Sequence, residues 1–169
     1  MENAGCAWSR NDALLRRYHD TEWGVPVRDD RLLFEHLTLE VMQCGLNWLL
    51  MLKKREIFRQ ALAGFDPSRL AAFTENDVNA ALAVPGMIRS RRKVEAVAAN
   101  ARAFLAVQKE FGSFHAWLWN FTDGRMLVYE SHAASVPASN ELSDRISAAL
   151  KKRGFRYVGS ITVYSLLQA

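Results

Sequence analysis

The alternation of apolar and polar positions predicts a mostly helical chain, organised around the stretch from Leu32 to Trp48. Within it, four residues recur at spacings of three or four, which is typical of one helical face: Leu33, Leu37, Glu40 and Cys44. Gly45 is expected to end this helix. A glutamate on an otherwise apolar stripe needs a partner, a proton or a ligand, because burying a bare charge is costly.

Capping residues and helix breakers divide the rest of the chain into further short helices, about eight in all. Besides the central helix, seven helices are expected. In chain order they are a helix from Asn11-Asp12 to near Tyr18, one from Trp48 to Ala63, a short one that begins at Asp66-Pro67, one from Thr74 to Val84, one from Met87 to Phe111, one within 112–123 and one from Asn140 to Arg153. Asp29 and Asp30 can cap the central helix. The expected fold class is therefore all-α.

Three segments are less regular. Residues Tyr18–Pro26 (YHDTEWGVP) are interpreted as a shaped loop, because they end in a glycine and a proline. Residues 124–138 are expected to be irregular or to contain a short strand at MLVY. The final stretch, FRYVGSITVYSLLQA, leaves helix and strand open, because its β-branched residues favour strands.

Composition narrows the class of protein. The 169 residues suit one domain, or two lobes that share a core, and half of them are hydrophobic. A net charge of +4 suits a polyanionic partner without proving one. No apolar run approaches the roughly 18–20 residues of a membrane span, and the first residues lack the apolar core of a signal peptide. We therefore expect a cytosolic protein, and its two cysteines give no disulfide framework.

The first candidate site combines Glu40 with Trp48. A carboxylate beside an indole can bind a flat, positively charged group through charge and through cation–π attraction. The alternative is a structural role, in which Glu40 lies at the edge of the apolar face and pairs with a lysine or arginine.

The second candidate site is the segment VPGMIRSRRK, from Val84 to Lys93. Here Pro85-Gly86 is expected to form a tight turn between two helices, so that exposed N–H groups at the start of the second helix favour a phosphate. Four cations within five residues strengthen that prediction: Arg89, Arg91, Arg92 and Lys93. The alternative is an ordinary turn followed by a solvated basic helix.

Metal chemistry is only weakly indicated. Cys6 and His19 could form half of a zinc site, but zinc takes about four ligands. The other candidate ligands show no recognisable metal-binding spacing: His36, Cys44, His115 and His132. The sequence also contains no nucleotide-binding glycine-rich loop and no recognisable arrangement of nucleophile, histidine and acid.

Several blocks in a fixed order resemble the 3-methyladenine DNA glycosylase I family. They cover essentially the whole chain: CAW at 6–8, YHDTEWGVP at 18–26, LFEHLTLE at 33–40, QCGLNW at 43–48, LKKRE at 52–56, FDP at 65–67, GMIRSRRKV at 86–94 and ALKKRGFRYVG at 149–159. The resemblance implies a helix–hairpin–helix fold, a helical final segment, and hydrolysis of the N-glycosidic bond of 3-methyladenine in alkylated DNA. It implies no cofactor for the chemistry.

The resemblance also assigns roles to individual residues. It implies that Glu40 contacts the base, that Trp48 stacks on it, and that Tyr18, Trp8 and Trp23 line the pocket. The Pro85-Gly86 turn with Arg89, Arg91, Arg92 and Lys93 would grip the DNA backbone. The implied partners are double-stranded DNA with alkylated bases and free 3-methyladenine as product, bound by a monomer.

Some positions depart from the family pattern. Leu15 replaces a second pocket tyrosine, Cys44 a small alanine and Asn47 a serine. The resemblance matches Cys6 and His19 to the first two ligands of a structural zinc. The family continues past Ala169 into a tail that carries the other two, so we expect this chain to bind zinc weakly or not at all. These departures keep a second function open, a non-catalytic binder of damaged or deformed DNA.

Overall fold

The structure, a computed structural model, describes residues 6–128 and 137–169. Within these ranges the chain forms helices and no β-strand, which confirms the predicted all-α class. The α-helices are α1 (Ala13–Thr21), α2 (Asp30–Gln43), α3 (Trp48–Ala61), α4 (Pro67–Ala71), α5 (Glu75–Ala83), α6 (Arg91–Phe111), α7 (Phe114–Trp119), α8 (Glu141–Lys152) and α9 (Ser160–Gln168). Short 3₁₀ turns lie at Ala7–Ser9, Ala63–Phe65 and Asn120–Thr122.

Helix α2 lies at the centre of the molecule. Every residue from Leu33 to Met42 is buried, because α3, α6, α7 and α9 all pack around it. Asp29 caps the helix by accepting a hydrogen bond from the N–H of Leu32 at 2.8 Å, as predicted. The expected single apolar stripe is therefore wrong in one respect, since α2 is enclosed on all its faces.

Side-chain caps account for most of the helix starts. Asp12 caps α1, Asp66 precedes Pro67 at the start of α4, and Asn47 caps α3. Thr74 and Asp77 form a capping box at the start of α5, because each side chain accepts from the other residue's backbone N–H. These side chains therefore determine where most of the helices begin.

Two predicted boundaries are wrong. The supposed loop at Tyr18–Pro26 begins in a helix, because α1 continues to Thr21. Helix α6 begins at Arg91 rather than at Met87. The predicted stop of the central helix at Gly45 is confirmed, because α2 ends at Gln43 and Gly45 takes φ 80° directly after the C-cap Cys44.

The structure also describes the final segment and part of 124–138, for which the sequence left helix, strand or irregular structure open. Residues 160–168 are helical as the resemblance implied, because packing of α9 against α2 and α8 overrides the strand preference of its β-branched residues. Residues 126–128 are exposed and form no strand, while Tyr129 lies outside the described residues, as does His132. Among the helices that the structure describes, none has the length and apolarity required to span a membrane.

Candidate functional site

Glu40 is a buried carboxyl group on α2, and the residue is only 4% exposed. No residue in the described ranges forms a hydrogen bond or an ion pair with its carboxylate. Burial raises the pKa of Glu40 to about 8, from an ordinary value near 4.5. The carboxyl group is therefore mostly protonated near neutral pH.

Glu35, one and a half turns earlier on α2, has the structural role that was the alternative for Glu40. Its carboxylate accepts hydrogen bonds from Arg55 Nε at 2.6 Å and from Arg59 Nη2 at 2.9 Å. Arg55 also contacts Glu22 at 2.7 Å, and Arg55 and the His36 ring hold the pKa of the Glu22 carboxyl well below its usual range. This network, which the sequence analysis missed, satisfies Glu35 and leaves Glu40 unpaired.

The predicted aromatic residues gather into one cluster beside α2. The rings of Tyr18 and Trp48 lie 5.2 Å apart between centroids, and those of Trp8 and Trp23 lie 5.5 Å apart. The two pairs are in contact, because the ring centroids of Trp8 and Tyr18 lie 6.4 Å apart. Burial, followed by the negative charges of Glu40 and Glu22, raises the pKa of Tyr18. Tyr18 therefore lies within the electrostatic reach of Glu40, as expected for two groups that share a pocket.

Trp48 offers an unused hydrogen-bond donor at this site. Its indole Nε1–H is buried and has no partner in the part of the chain that the structure describes. Trp48 is the first residue of α3, and Asn47 fixes that helix start by accepting a hydrogen bond from the N–H of Leu50 at 2.8 Å. The departure from serine at position 47 therefore keeps a good N-cap. A buried donor without a partner is costly, which favours a ligand that accepts from it.

Two open surface depressions lie elsewhere on the molecule. One, of about 420 Å³, is lined by the start of α1, and the other, of about 390 Å³, lies between α5 and α6. The carboxylates in both are exposed or half-exposed, and neither depression includes Glu40. Neither depression therefore contains a buried acid.

The second predicted site is the turn between α5 and α6, residues 84–90. Gly86 has φ 81°, a conformation that favours glycine, and a Cβ there would lie 2.8 Å from Ile57 Cδ1, so the end of that side chain would have to shift. Lys54 on α3 donates a hydrogen bond to the carbonyl oxygen of Gly86 and ties the turn to that helix. Ser90, the N-cap of α6, makes no side-chain capping bond, which leaves N–H groups free for an anion.

The four predicted cations of this turn behave differently from one another. Arg89 and Arg92 are exposed, and within the described ranges neither forms a hydrogen bond or an ion pair. Arg91 is also exposed but bonds to Asn79 and lies 3.7 Å from Glu95. These positions leave Arg89 and Arg92 as the cations most available to a phosphate.

Lys93 does not fit its predicted role as a phosphate contact. The residue is only 8% exposed, and its ammonium group donates to the carbonyl oxygens of Met42 at 2.7 Å and Cys44 at 2.6 Å. Burial lowers the pKa of Lys93. The side chain turns inward because position 93 lies one turn before Val97 on the buried face of α6.

Cys6 and His19 do not form a metal site with other described residues. His19 Nδ1 is engaged with Asp20 Oδ1 at 2.8 Å, and its ring stacks on Trp23. No group of three or more potential ligands from His, Cys, Asp and Glu occurs among the residues described. Cys44 contacts the Glu40 carbonyl oxygen and Thr162, which is a packing role.

Comparison with known proteins agrees with this arrangement. The family model for methyladenine glycosylases matches residues 8–169. The chain is 42% identical to DNA-3-methyladenine glycosylase 1 of Escherichia coli (strain K12) over 97% of this chain and 88% of that protein. It is 41% identical to DNA-3-methyladenine glycosylase of Haemophilus influenzae over 97% of this chain and 89% of that protein.

A solved structure gives the same result. A variant of 3-methyladenine DNA glycosylase I in complex with 3-methyladenine superposes with a TM-score of 0.92 at 34% identity, over 98% of this chain and 89% of that chain. The match therefore extends across the helices that carry both candidate sites. On sequence and on structure, the chain belongs to the methyladenine glycosylase family.

Proposed function

We propose that this protein removes 3-methyladenine from alkylated DNA, and that Glu40 receives the positively charged base. Family membership supports the reaction. The observation that carries the residue assignment is the buried carboxyl group of Glu40, which has no hydrogen-bond or ion-pair partner among the described residues. Its charge acts on Tyr18, whose ring lies 5.2 Å from that of Trp48. Glu35 is paired with two arginines of α3, whereas none of the described arginines pairs with Glu40.

The chemistry of the substrate explains why a carboxylate and aromatic walls are sufficient. Methylation at N3 makes the adenine of a nucleotide cationic, which weakens its glycosidic bond. When the bond breaks, its electron pair moves onto the base, which leaves as neutral 3-methyladenine. The oxygen of a water molecule bonds to C1′ of the sugar, and one proton of that water passes to solvent. The enzyme must mainly extract the base from the stack and stabilise its charge.

Selectivity for the methylated base follows from the state of Glu40. Without a ligand, burial holds the carboxyl group largely protonated. A cationic base favours the ionised form of Glu40, because the base provides a positive charge next to the carboxylate and the described protein residues do not. Neutral adenine offers no such compensation, so it gains much less from the same pocket. Tyr18, Trp8 and Trp23 would line the pocket, and Trp48 would stack on the base.

We further propose that the turn at residues 84–90 acts as the hairpin of a helix–hairpin–helix DNA grip. Its support is the tight Gly86 turn, the uncapped start of α6 and the exposed side chains of Arg89 and Arg92. Contacts of this kind hold the phosphates of double-stranded DNA without reading sequence, as a search for rare damaged bases requires. A single copy carries both sites, so we propose that a monomer acts.

The test is to incubate the protein with methylated duplex DNA and to identify the released bases by chromatography. Wild type is expected to release 3-methyladenine, and Glu40→Gln to release it at least about tenfold more slowly, since a charge-assisted contact of about 1.5–3 kcal/mol is lost. Glu141→Gln, the same change at an exposed position on α8, is the matched control and should retain full activity. Binding of methylated DNA without release of any base would instead establish the non-catalytic binder.

A further inference from the structure

Lys93 joins the DNA-facing end of α6 to the end of α2. It is the third residue of α6, immediately after the exposed Arg91 and Arg92. Its ammonium group is buried and donates to two backbone carbonyl oxygens, those of Met42 and Cys44. These groups lie at the C-terminal end of α2, where carbonyl oxygens lack intrahelical partners and where a cation is favoured.

The segment that Lys93 contacts is the turn between α2 and α3, residues 44–47, which we call the pocket turn. It connects Glu40, one helical turn before it, to Trp48, the first residue of α3. Inside the turn, Gly45 has φ 80°, and the N–H of Leu46 donates to the Gln43 carbonyl oxygen at 2.6 Å. The relative placement of the acid and the indole therefore depends on how this turn is held.

Lys93 provides long-range support for the backbone at the end of α2 and in the pocket turn. Local partners satisfy two carbonyl oxygens, since Cys44 Sγ donates to Glu40 and Leu46 N to Gln43. Cys44 Sγ also lies 3.8 Å from Thr162 Oγ1, a contact between side chains. The carbonyl oxygens of Met42 and Cys44 accept from Lys93, which is 51 and 49 residues away in sequence. Lys93 thus ties the backbone of the turn to the helix that follows residues 84–90.

From this arrangement we infer that Lys93 is a positioning residue that couples DNA-backbone binding to the base pocket. Phosphates bound at the start of α6 hold that end of the helix in place. Because Lys93 connects this end to the pocket turn, DNA binding also fixes the turn and therefore the positions of Glu40 and Trp48 relative to each other. The inference rests on the proposed function, because it requires DNA at residues 84–90 and a base beside Glu40. Lys93 touches neither DNA nor base in this account.

The experiment measures backbone hydrogen exchange with and without undamaged duplex DNA, in wild type, Lys93→Met and Asn100→Leu. Asn100 is a matched control, because it is buried on the same helix and also makes two hydrogen bonds to backbone, those with Arg156 at 3.1 and 2.7 Å. In wild type and Asn100→Leu, DNA should slow exchange at both 86–92 and 44–48. In Lys93→Met, we expect slowing at 86–92 to persist and slowing at 44–48 to be lost.

Single-turnover excision from methylated DNA provides a second readout at a temperature where all three proteins are folded. Lys93→Met should keep its half-saturating enzyme concentration within about twofold and lose about tenfold or more in the saturated rate, since small misplacements of reacting groups have effects of this size. Asn100→Leu should match wild type in both. A merely structural role would instead lower activity only in proportion to the unfolded fraction.

The possible results separate the inference from the proposed function. Unchanged slowing at 44–48 in Lys93→Met overturns the inference, as does loss of slowing at both segments, which would make Lys93 a simple DNA contact. Absence of slowing at both segments in wild type overturns the inference together with the DNA surface. The expected exchange pattern without release of any base by wild type supports the coupling and contradicts only the proposed excision.

Discussion

Glu35 and Glu40 lie on the same buried helix, yet among the described residues only Glu35 has cationic partners. Both residues are about equally enclosed, at 5% and 4% exposure. Arg55 and Arg59 satisfy the carboxylate of Glu35, whereas burial raises the pKa of Glu40 to about 8. The first acid stabilises the fold, and the ionised form of the second costs stability, as the proposed role of Glu40 in binding a cationic base would require.

The first prediction is that neutralising these two acids has opposite effects on stability. Glu35→Gln should lower the free energy of unfolding by about 3 kcal/mol, because it leaves two arginines without their buried partner. Glu40→Gln should leave the protein as stable as wild type or raise its stability. Urea unfolding of both variants beside wild type at pH 7 measures the difference. A large loss of stability in Glu40→Gln would show that its carboxyl group has a structural partner.

A second prediction concerns the pH dependence of that stability difference. The pKa of Glu40 in the folded protein lies above its ordinary value of about 4.5, so its contribution to stability is complete below pH 4.5 and declines as the pH rises to about 8. The stability of Glu40→Gln relative to wild type should therefore increase between pH 5 and pH 8, by on the order of 3 kcal/mol at pH 7. Unfolding measured at several pH values checks this, and a constant difference would contradict the raised pKa.

Excision itself should depend on pH through the same group. Because the cationic base requires the ionised form of Glu40, kcat/KM should rise about tenfold per pH unit below pH 8 and level off above it. Glu40→Gln, although slower, should lack this rise. Rates on methylated DNA between pH 6 and pH 9 test the prediction, with affinity for undamaged DNA measured in parallel to correct for changes in binding. A rate that falls as pH rises would indicate that the protonated acid is the active form.

The fourth prediction concerns the exposed arginines of the proposed DNA grip. Replacing Arg89 and Arg92 together by alanine should weaken binding to damaged and undamaged duplexes alike, since phosphate contacts carry no base information. The slope of log affinity against log salt should fall by about 1 for each contact removed. Replacing Arg145, a cation on α8 that donates to the Phe121 carbonyl oxygen, is the control and should change neither quantity. Unchanged affinity in the double variant would place the DNA surface elsewhere.

Gly86 and Gly112 provide the fifth prediction as a matched pair. Both have positive φ, at 81° and 84°, but a Cβ at Gly86 would meet Ile57, whereas one at Gly112 would meet nothing within 4 Å. Both alanine variants should lose about 1 kcal/mol from backbone strain, and Gly86→Ala should lose about 1–3 kcal/mol more from the clash. Thermal unfolding compares them, and Gly86→Ala should also weaken DNA binding. Equal losses would mean that Ile57 yields without cost.

Local signals in the sequence were enough to predict most of the helices, whereas the grouping of Tyr18, Trp8 and Trp23 with Trp48 was implied only by the family resemblance. Caps such as Thr74 with Asp77 act over a few residues, so they can be read without knowing the fold. Glu40 stood out because it interrupts an apolar face. The pairing of Glu35 with Arg55 and Arg59 could not be found in this way, because it joins two helices across the core.

Lys93 shows how a strong local signal can mislead. Four cations in five residues predicted one phosphate-binding cluster, but the phase of α6 turns only some of them outward. Lys93 lies four residues before the apolar Val97, on the same side of the helix, so helical periodicity could have separated it from its neighbours. Its partners at the end of α2 are long-range contacts and had no signature in the sequence.

The complete enclosure of α2 restricts how substrate preference can change within this fold. A helix packed on every side cannot rotate or shift to present Glu40 differently without disturbing several neighbours at once. A change in substrate range is therefore expected to arise from residues of other elements that lie near the acid. Tyr18 on α1, whose pKa the charge of Glu40 helps to raise, is such a position. Packing fixes the position of Glu40, whereas the residues around it on other elements can change.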